Sequence, residues 1–213
     1  MEKGAGTLIK NFIWDFDGTL FDTYPAMVDG AWRALQDFGI VADKKELYFV
    51  MKKYSTSQLR QNYQLSEEKF TPLFHQYETK SRKVSAPFQD TKTVLENLKA
   101  RGGRHFILTH RLTDSTWRLL KDFGLDELIE SVVGIDQEFP RKPDPSSLNA
   151  IIQNFHLQKV ESMMIGDRRL DIEAGNNAGI ATCLYDIDYF LGDIPATYVV
   201  NELKQIIELP EII

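Results

Sequence analysis

The segment IWDFDGTLFD, residues 13–22, places two aspartates directly after an apolar run. Asp15 and Asp17 are two residues apart, so their like charges repel each other, and each loses hydration if it is buried. Gly18 and Thr19 follow before the chain becomes apolar again. The segment therefore predicts a strand that ends at an acidic site, and this site requires a positive counter-ion.

Short β-prone runs recur along the chain and alternate with amphipathic helical segments. The runs are residues 9–16, 104–110, 131–135, 162–167 and 181–186, with 197–200 as a further candidate. The helical segments are residues 90–102, 113–124, 145–156 and 169–179. Near-continuous apolar strands that alternate with helices are typical of a parallel sheet covered on both faces. The sequence thus predicts a doubly wound α/β fold.

One region interrupts this alternation. From Tyr24 onward the pattern is aromatic-rich and helical, and Ala31, Leu35 and Phe38 have the spacing of an apolar helical stripe. We therefore expect a helical domain, residues 23–84, inserted after the first strand. Residues 1–22 and 85–213 would then form the α/β core domain.

Composition and charge restrict the classes of partner. The 213 residues carry a formal net charge of -6 without a Lys/Arg-rich block, which argues against nucleic acid or an anionic membrane surface as the main partner. A local basic pocket for an anionic substrate stays compatible with this charge. Cys183 is the only cysteine, and the first residues lack the apolar run of a signal peptide. We expect a soluble, cytoplasmic protein, either a monomer or a homodimer.

A second acidic cluster supports the need for a cation. In MIGDRRLDIEAG, residues 164–175, Asp167 ends another apolar strand and Asp171 follows one helical turn later. Ligands of open parallel sheets bind at the carboxyl ends of the strands, so these carboxylates should meet those of the first segment. A hard divalent cation such as Mg2+ is the simplest counter-ion, and Gly18 would let an anion approach the backbone. The pattern therefore favours a phosphate site with Mg2+.

Four segments carry a resemblance to a known family. DFDGT (15–19), LTH (108–110), RKPDP (141–145) and GDRRLD (166–171) match, in order, the four motifs of the haloacid dehalogenase-like hydrolase superfamily. The chain resembles in particular its phosphoglycolate phosphatase-like members, which have a Rossmann-like core and a C1-type helical cap inserted after the first motif. The match covers the whole core, whereas the inserted region matches in position and helical character alone.

The resemblance implies a role for each catalytic residue. Asp15 would be the nucleophile that forms an aspartyl-phosphate, and Asp17 would act as general acid and then as general base. Thr109 would donate a hydrogen bond to a phosphoryl oxygen. Lys142 would balance the charge of the nucleophile and of the phosphoryl group.

The resemblance also implies the binding residues. The metal ligands would be Asp15, Asp17 through its backbone carbonyl, Asp167, and Asp171 either directly or through water. The substrate phosphate would contact Gly18, Thr109, His110 and Lys142.

Two of the four motifs depart from the family pattern. Arg168 and Arg169 stand in the fourth motif where many relatives have a small hydroxyl residue first, and His110–Arg111 continue the second motif in place of a small polar residue. Both departures would alter the electrostatics at the mouth of the site.

The sequence leaves three functions open. The first is a Mg2+-dependent phosphatase that acts on a small phosphorylated metabolite. The second is a phosphomutase of the β-phosphoglucomutase type, because it uses the same core residues. The third is a binding or regulatory protein without turnover, although Asp15, Asp17, Lys142 and Asp167 are all retained. Dehalogenation is disfavoured because it needs neither Asp17 nor a metal.

Overall fold

A computed structural model describes residues 7–213. The chain divides into two compact units, one formed by residues up to Phe21 together with Pro87–Ile213, and the other by Asp22–Ala86. The sequence predicted domain limits at 22/23 and 84/85. Residues 1–6 of the predicted core domain lie outside the described part of the chain. Among residues 7–213, none of the helices combines the length and apolar character that crossing a lipid bilayer requires.

The strands fall in or beside the apolar runs, and each of the six predicted strands is confirmed. They are β1 (Asn11–Trp14), β2 (Phe21–Asp22), β3 (Ala86–Pro87), β4 (Arg104–Leu108), β5 (Ser131–Val133), β6 (Ser162–Gly166), β7 (Ala181–Tyr185) and β8 (Tyr198–Val200). The short strands β2 and β3 pair with each other, and sequence inspection missed both. Two residues are too few to produce a recognisable period.

The other six strands form one sheet in the order β5-β4-β1-β6-β7-β8. Every neighbouring pair is parallel. The central strand β1 pairs Trp14 with Ile107 of β4 and with Ile165 of β6. Since the chain goes first to one side of β1 and later to the other, the strand order reverses beside β1. Ligands of doubly wound folds bind at this kind of switch point.

The helices also match the predicted segments. They are α1 (Tyr24–Asp37), α2 (Lys44–Lys53), α3 (Thr56–Asn62), α4 (Glu67–Thr79), α5 (Thr91–Ala100), α6 (Thr113–Asp122), α7 (Ser146–Asn154) and α8 (Arg169–Ala178). Short 3-10 helices occupy Asp126–Leu128, Ile135–Gln137, Lys159–Glu161 and Leu203–Glu208. The doubly wound α/β fold with helices inserted after the first strand is therefore confirmed.

Successive residues of a strand point to opposite faces, and β1 therefore supplies both layers of the core. Phe12 and Trp14 pack in one cluster with side chains of α5, α6 and the C-terminal 3-10 helix. Ile13 packs in the other cluster with side chains of α7 and α8. Burial on both faces explains why the strand sequence lacks the apolar–polar alternation of a half-exposed strand.

A buried histidine extends this packing with polar contacts. The indole Nε1 of Trp14 donates to Nδ1 of His105 at 3.1 Å, and Nε2 of His105 lies 3.0 Å from the carbonyl oxygen of Leu95. These contacts assign the proton of the neutral ring to Nε2. Burial lowers the pKa of His105 to about 4, so the ring is neutral at physiological pH.

The second unit contains α1 to α4 around its own apolar cluster. The predicted stripe of α1 is confirmed, because Ala31 and Leu35 are buried in this cluster and Phe38 packs against it. The carboxylate of Asp29 forms ion pairs with two basic side chains of this unit. Lys44 Nζ lies 3.0 Å from the carboxylate, and Arg33 Nε lies 3.1 Å from it. The unit is thus a helical bundle with a core of its own.

Candidate active site

The ends of three neighbouring strands bring the predicted site residues to one edge of the sheet. Asp15 directly follows β1, Thr109 follows β4 and Asp167 follows β6. The backbone N–H of Asp15 continues the ladder by donating to the carbonyl oxygen of Ile165 at 2.8 Å. The parallel register therefore gathers residues that lie far apart in the sequence.

Lys142 reaches this edge from the loop before α7. Its Nζ lies 2.6 Å from Oδ1 of Asp15 and 2.6 Å from Oδ1 of Asp171, and it donates to the carbonyl oxygen of Leu108 at 3.1 Å. All three charged side chains are buried. Burial opposes the charge on Lys142, but the carboxylates of Asp15 and Asp171 outweigh this effect and raise its pKa. The site thus has a permanent cation beside the predicted nucleophile.

Asp15 has too little positive charge around it to offset its burial. Desolvation, opposed by Lys142 and reinforced by the carboxylates of Asp171 and Asp167, raises the pKa of Asp15 to about 7. A divalent cation among these carboxylates would favour their ionised forms. The buried cluster is therefore the kind of environment that a metal ion stabilises.

The donor set itself fits Mg2+. Asp15, Asp167 and Asp171 each offer a carboxylate oxygen, and these oxygens lie within 4.8 Å of one another. Hard oxygen ligands are the ones Mg2+ prefers. The carboxylate of Asp17 lies outside this cluster, and so the structure is compatible with the backbone contact that the resemblance implied for it.

Asp171 is placed by the start of α8 and by the strand before it. Its Oδ2 accepts a hydrogen bond from the backbone N–H of Arg168 at 3.1 Å, which completes a cap at the helix N-terminus. A Cβ atom at residue 166 would overlap Cβ and Cγ of Asp171. Gly166 therefore permits the close approach of α8 to β6 that brings Asp171 into contact with Lys142.

The second predicted motif supplies a hydroxyl and an imidazole. Thr109 is buried, its backbone N–H donates to the carbonyl oxygen of Val133 at 3.0 Å, and its Oγ1 accepts from the backbone N–H of Arg111 at 3.1 Å. The ring Nε2 of His110 accepts from the backbone N–H of Lys142 at 3.1 Å. Burial, together with Lys142 and the nearby arginines, lowers the pKa of His110 to about 2. The neutral imidazole of His110 thus binds the backbone of the loop that carries Lys142.

Gly18 has a conformational role in the turn after the first motif. Its φ of 84° lies in the left-handed region that favours glycine, and its backbone N–H donates to the carbonyl oxygen of Phe21 at 2.7 Å. The turn therefore explains the glycine. Contacts of Gly18 and His110 with a substrate phosphate stay predictions.

Arg111 forms an ion pair with Asp17 across two strand ends. Its Nη2 lies 2.8 Å and its Nε 3.0 Å from Oδ1 of Asp17. The sequence marked Arg111 as a departure from the family pattern without assigning it a partner. The structure supplies that partner.

A family model described as haloacid dehalogenase-like hydrolase matches residues 12–185. The match spans the three strand ends that carry motif residues, and the inserted helices. The chain belongs to this family. The predicted family and the predicted enzyme class, a hydrolase, are confirmed.

Relatives of this hydrolase include named phosphatases. The chain is 24% identical over 202 residues to pyrophosphatase PpaX of Halalkalibacterium halodurans, covering 88% of this chain and 94% of the relative. It is 27% identical over 184 residues to phosphoglycolate phosphatase of Aliivibrio fischeri, covering 80% and 81%. The crystal structure of a predicted phosphoglycolate phosphatase from Haemophilus somnus shares the fold, with a TM-score of 0.79, 23% identity and coverage of 96% and 99%.

Sequence reasoning about this hydrolase missed three supporting residues. Gly166 makes room for Asp171, and Arg111 binds Asp17. Ser115, in the first turn of α6, accepts a hydrogen bond from Nη1 of Arg111 at 3.2 Å. The glycine before Asp167 was a visible signal, whereas the partners of Arg111 become visible only when the strands are assembled.

Proposed function

We propose that this hydrolase is a Mg2+-dependent phosphatase that acts on a small phosphorylated metabolite through an aspartyl-phosphate intermediate. The observation that carries the proposal is the buried contact of 2.6 Å between Lys142 Nζ and Oδ1 of Asp15. A carboxylate beside a fixed cation, at the carboxyl edge of the sheet, is suited to attack a phosphoryl group whose negative charge the same cation offsets. The names of the relatives support this reaction class.

In the first step, a carboxylate oxygen of Asp15 forms a bond to phosphorus while the bond from phosphorus to the leaving oxygen breaks. Asp17 gives its proton to that oxygen, and the product alcohol leaves. Lys142 stabilises the charge shared between Asp15 and the phosphoryl group. Thr109, at the end of β4, would donate its hydroxyl proton to a phosphoryl oxygen.

In the second step, Asp17 accepts a proton from water as the water oxygen attacks phosphorus. The bond between phosphorus and Asp15 breaks, which regenerates the carboxylate and releases inorganic phosphate. Together, the two steps return Asp15 and Asp17 to their starting states. Asp17 serves as the acid in the first step and as the base in the second.

The side chains that would hold Mg2+ are those of Asp15, Asp167 and Asp171, whose oxygens cluster within 4.8 Å. The resemblance adds the backbone carbonyl of Asp17. When bound, the ion would orient the phosphoryl group and reduce its repulsion from the anionic nucleophile.

Among substrates, those named for the relatives are the first to test: phosphoglycolate and pyrophosphate. The cytoplasmic location and the monomeric or homodimeric state stay predictions. The net charge of -6 argues against nucleic acid as the main partner.

The experiment is phosphate release from a panel of phosphoglycolate, pyrophosphate, sugar phosphates and nucleoside monophosphates, with Mg2+ and with excess EDTA. We expect turnover with Mg2+, none with EDTA, and none in the Asp15→Asn variant. Asp186→Asn is the matched control, because Asp186 is buried directly after β7, two strands from β1, and its Oδ2 accepts from the Leu191 backbone N–H at 3.3 Å. Full turnover in the Asp15→Asn variant would refute the assignment of Asp15 as the nucleophile. Isomerisation of a sugar phosphate, stimulated by a bisphosphate, would favour the mutase instead.

A further inference from the structure

The ion pair between Arg111 and Asp17 is asymmetric. Two guanidinium nitrogens bind Oδ1 of Asp17, Nη2 at 2.8 Å and Nε at 3.0 Å, whereas Oδ2 receives a single contact from Nε at 3.3 Å. Hydrogen bonds from an arginine fork restrict the orientation of the carboxylate as well as its position. Oδ1 is therefore the held oxygen, and Oδ2 is the less engaged one.

Arg111 is itself held in place from several directions. Its backbone N–H donates to Oγ1 of Thr109 at 3.1 Å, and its carbonyl oxygen accepts from the backbone N–H of Ile135 at 3.1 Å. Its Nη1 donates to Oγ of Ser115 at 3.2 Å, and its guanidinium carbon lies 6.0 Å from the ring centroid of Phe16. A guanidinium anchored in this way can impose a geometry on its partner.

The surroundings leave Asp17 in need of such a restraint. Its side chain is 17% exposed, in contrast to the 1% of Asp15. Lys142, which is buried beside the first motif, binds Asp15 and Asp171. Rotation about the side-chain bonds of Asp17 would move the proton-carrying oxygen away from a reacting atom, and small misplacements of this kind are costly to catalysis.

We propose that Arg111 is a positioning residue for proton transfer. It binds Asp17 through Oδ1 and so orients Oδ2 toward the leaving oxygen in the first step and toward the attacking water in the second. This inference rests on the proposed phosphatase function. The Asp17 proton moves from Oδ2 to the leaving oxygen as the bond from phosphorus to that oxygen breaks. In the second step, Oδ2 takes a proton from water as the bond to Asp15 breaks.

The test uses the dependence of the reaction on the leaving group. An alkyl phosphate needs protonation of its leaving oxygen, whereas 2,4-dinitrophenyl phosphate expels a stable anion that does not. We expect Arg111→Gln to lower kcat/KM for an alkyl phosphate by about 100-fold, the order that a positioned general acid contributes. The value for 2,4-dinitrophenyl phosphate should change much less. A purely structural role would lower both values equally.

Two further variants make the result specific. Arg111→Lys keeps the charge but loses the fork, so the alkyl substrate should show a smaller selective loss. Arg118→Gln is the matched control: it removes an exposed arginine of α6 and should leave both values unchanged. If Arg111→Gln fails to fold by circular dichroism, the lysine variant decides, and an equal loss on both substrates overturns the proposal.

A double-variant comparison tests whether Arg111 acts through Asp17. In an Asp17→Asn background, Arg111→Gln should add little further loss on the alkyl substrate, since the group it positions no longer carries the proton. A full additional loss would overturn the proposal. Failure of the phosphatase function looks different, because the unmodified enzyme would then release no phosphate from either substrate.

Discussion

The ammonium group of Lys142 lies 2.6 Å from Oδ1 of Asp15, and both side chains are buried. Removing one partner of a buried ion pair leaves an uncompensated charge. We therefore expect Lys142→Met to lower the free energy of unfolding by about 3 kcal/mol and to abolish phosphate release. Urea denaturation and the phosphate assay measure the two effects.

The control for this pair is the double variant Lys142→Met/Asp15→Asn. Since it removes both charges of the pair, its loss of stability should be smaller than the sum of the two single losses. A Lys142→Met protein with the stability and turnover of the unmodified enzyme would contradict the role of the pair.

Asp167 should be required for metal binding. We expect Mg2+ to raise the thermal midpoint of the unmodified protein, because a ligand at about 100 times its dissociation constant adds about 2.7 kcal/mol to the folded state. Asp167→Asn should abolish this rise, measured by thermal denaturation without any substrate. Asp186→Asn, which alters a buried aspartate outside the carboxylate cluster, should retain it. An equal rise of the thermal midpoint in all three proteins would mean that Mg2+ binds outside the carboxylate cluster.

Gly166→Ala should disturb the site through Asp171. The added Cβ would overlap the Asp171 side chain, so α8 must shift or Asp171 must turn away from Lys142. Overpacking of this kind costs about 1–3 kcal/mol, and we expect a larger relative loss of phosphate release than of stability. Urea denaturation and the phosphate assay compare the two losses. Unchanged activity in the alanine variant would show that the Asp171 position is not needed.

His105 should make the protein less stable in mild acid. Its pKa is about 4 in the folded state and 6.5 unperturbed, so below the unperturbed value the unfolded chain binds a proton that the folded one does not. Stability is therefore lost as the pH falls through this window, by about 2 kcal/mol between about pH 7.5 and pH 5. Urea denaturation of His105→Asn should show a correspondingly smaller drop.

The control for His105 is His75→Asn, since His75 is largely exposed beside Glu78. Its pH dependence of stability should match that of the unmodified protein. An identical drop in His105→Asn would mean that other groups account for the acid sensitivity.

The sequence predicted the six strands of the main sheet and the helices between them because burial on both faces leaves a near-continuous apolar pattern. It missed the pair β2 and β3, which are two residues long. Their pairing joins segments that are far apart in the chain, and the local sequence does not encode such a long-range contact.

The sequence also predicted much of the candidate site. Asp15 and Asp167 stand at strand ends, where the local pattern shows them, and the resemblance added Thr109 and Lys142. Neither the local pattern nor the resemblance indicated that the ring of His110 accepts a hydrogen bond from the Lys142 backbone. That contact joins two loops 32 positions apart.

Taken alone, the sequence determined the fold class, the family and the carboxylates that end the strands, since apolar patterning and motif spacing are local properties. Tertiary structure decided the pairing of charges: which carboxylate Lys142 and Arg111 each bind, and how closely Asp171 approaches. These pairings follow from strand register and helix packing, which bring Lys142 to Asp15 across 127 positions of the chain. Electrostatic energy depends on the distances and burial that this assembly creates.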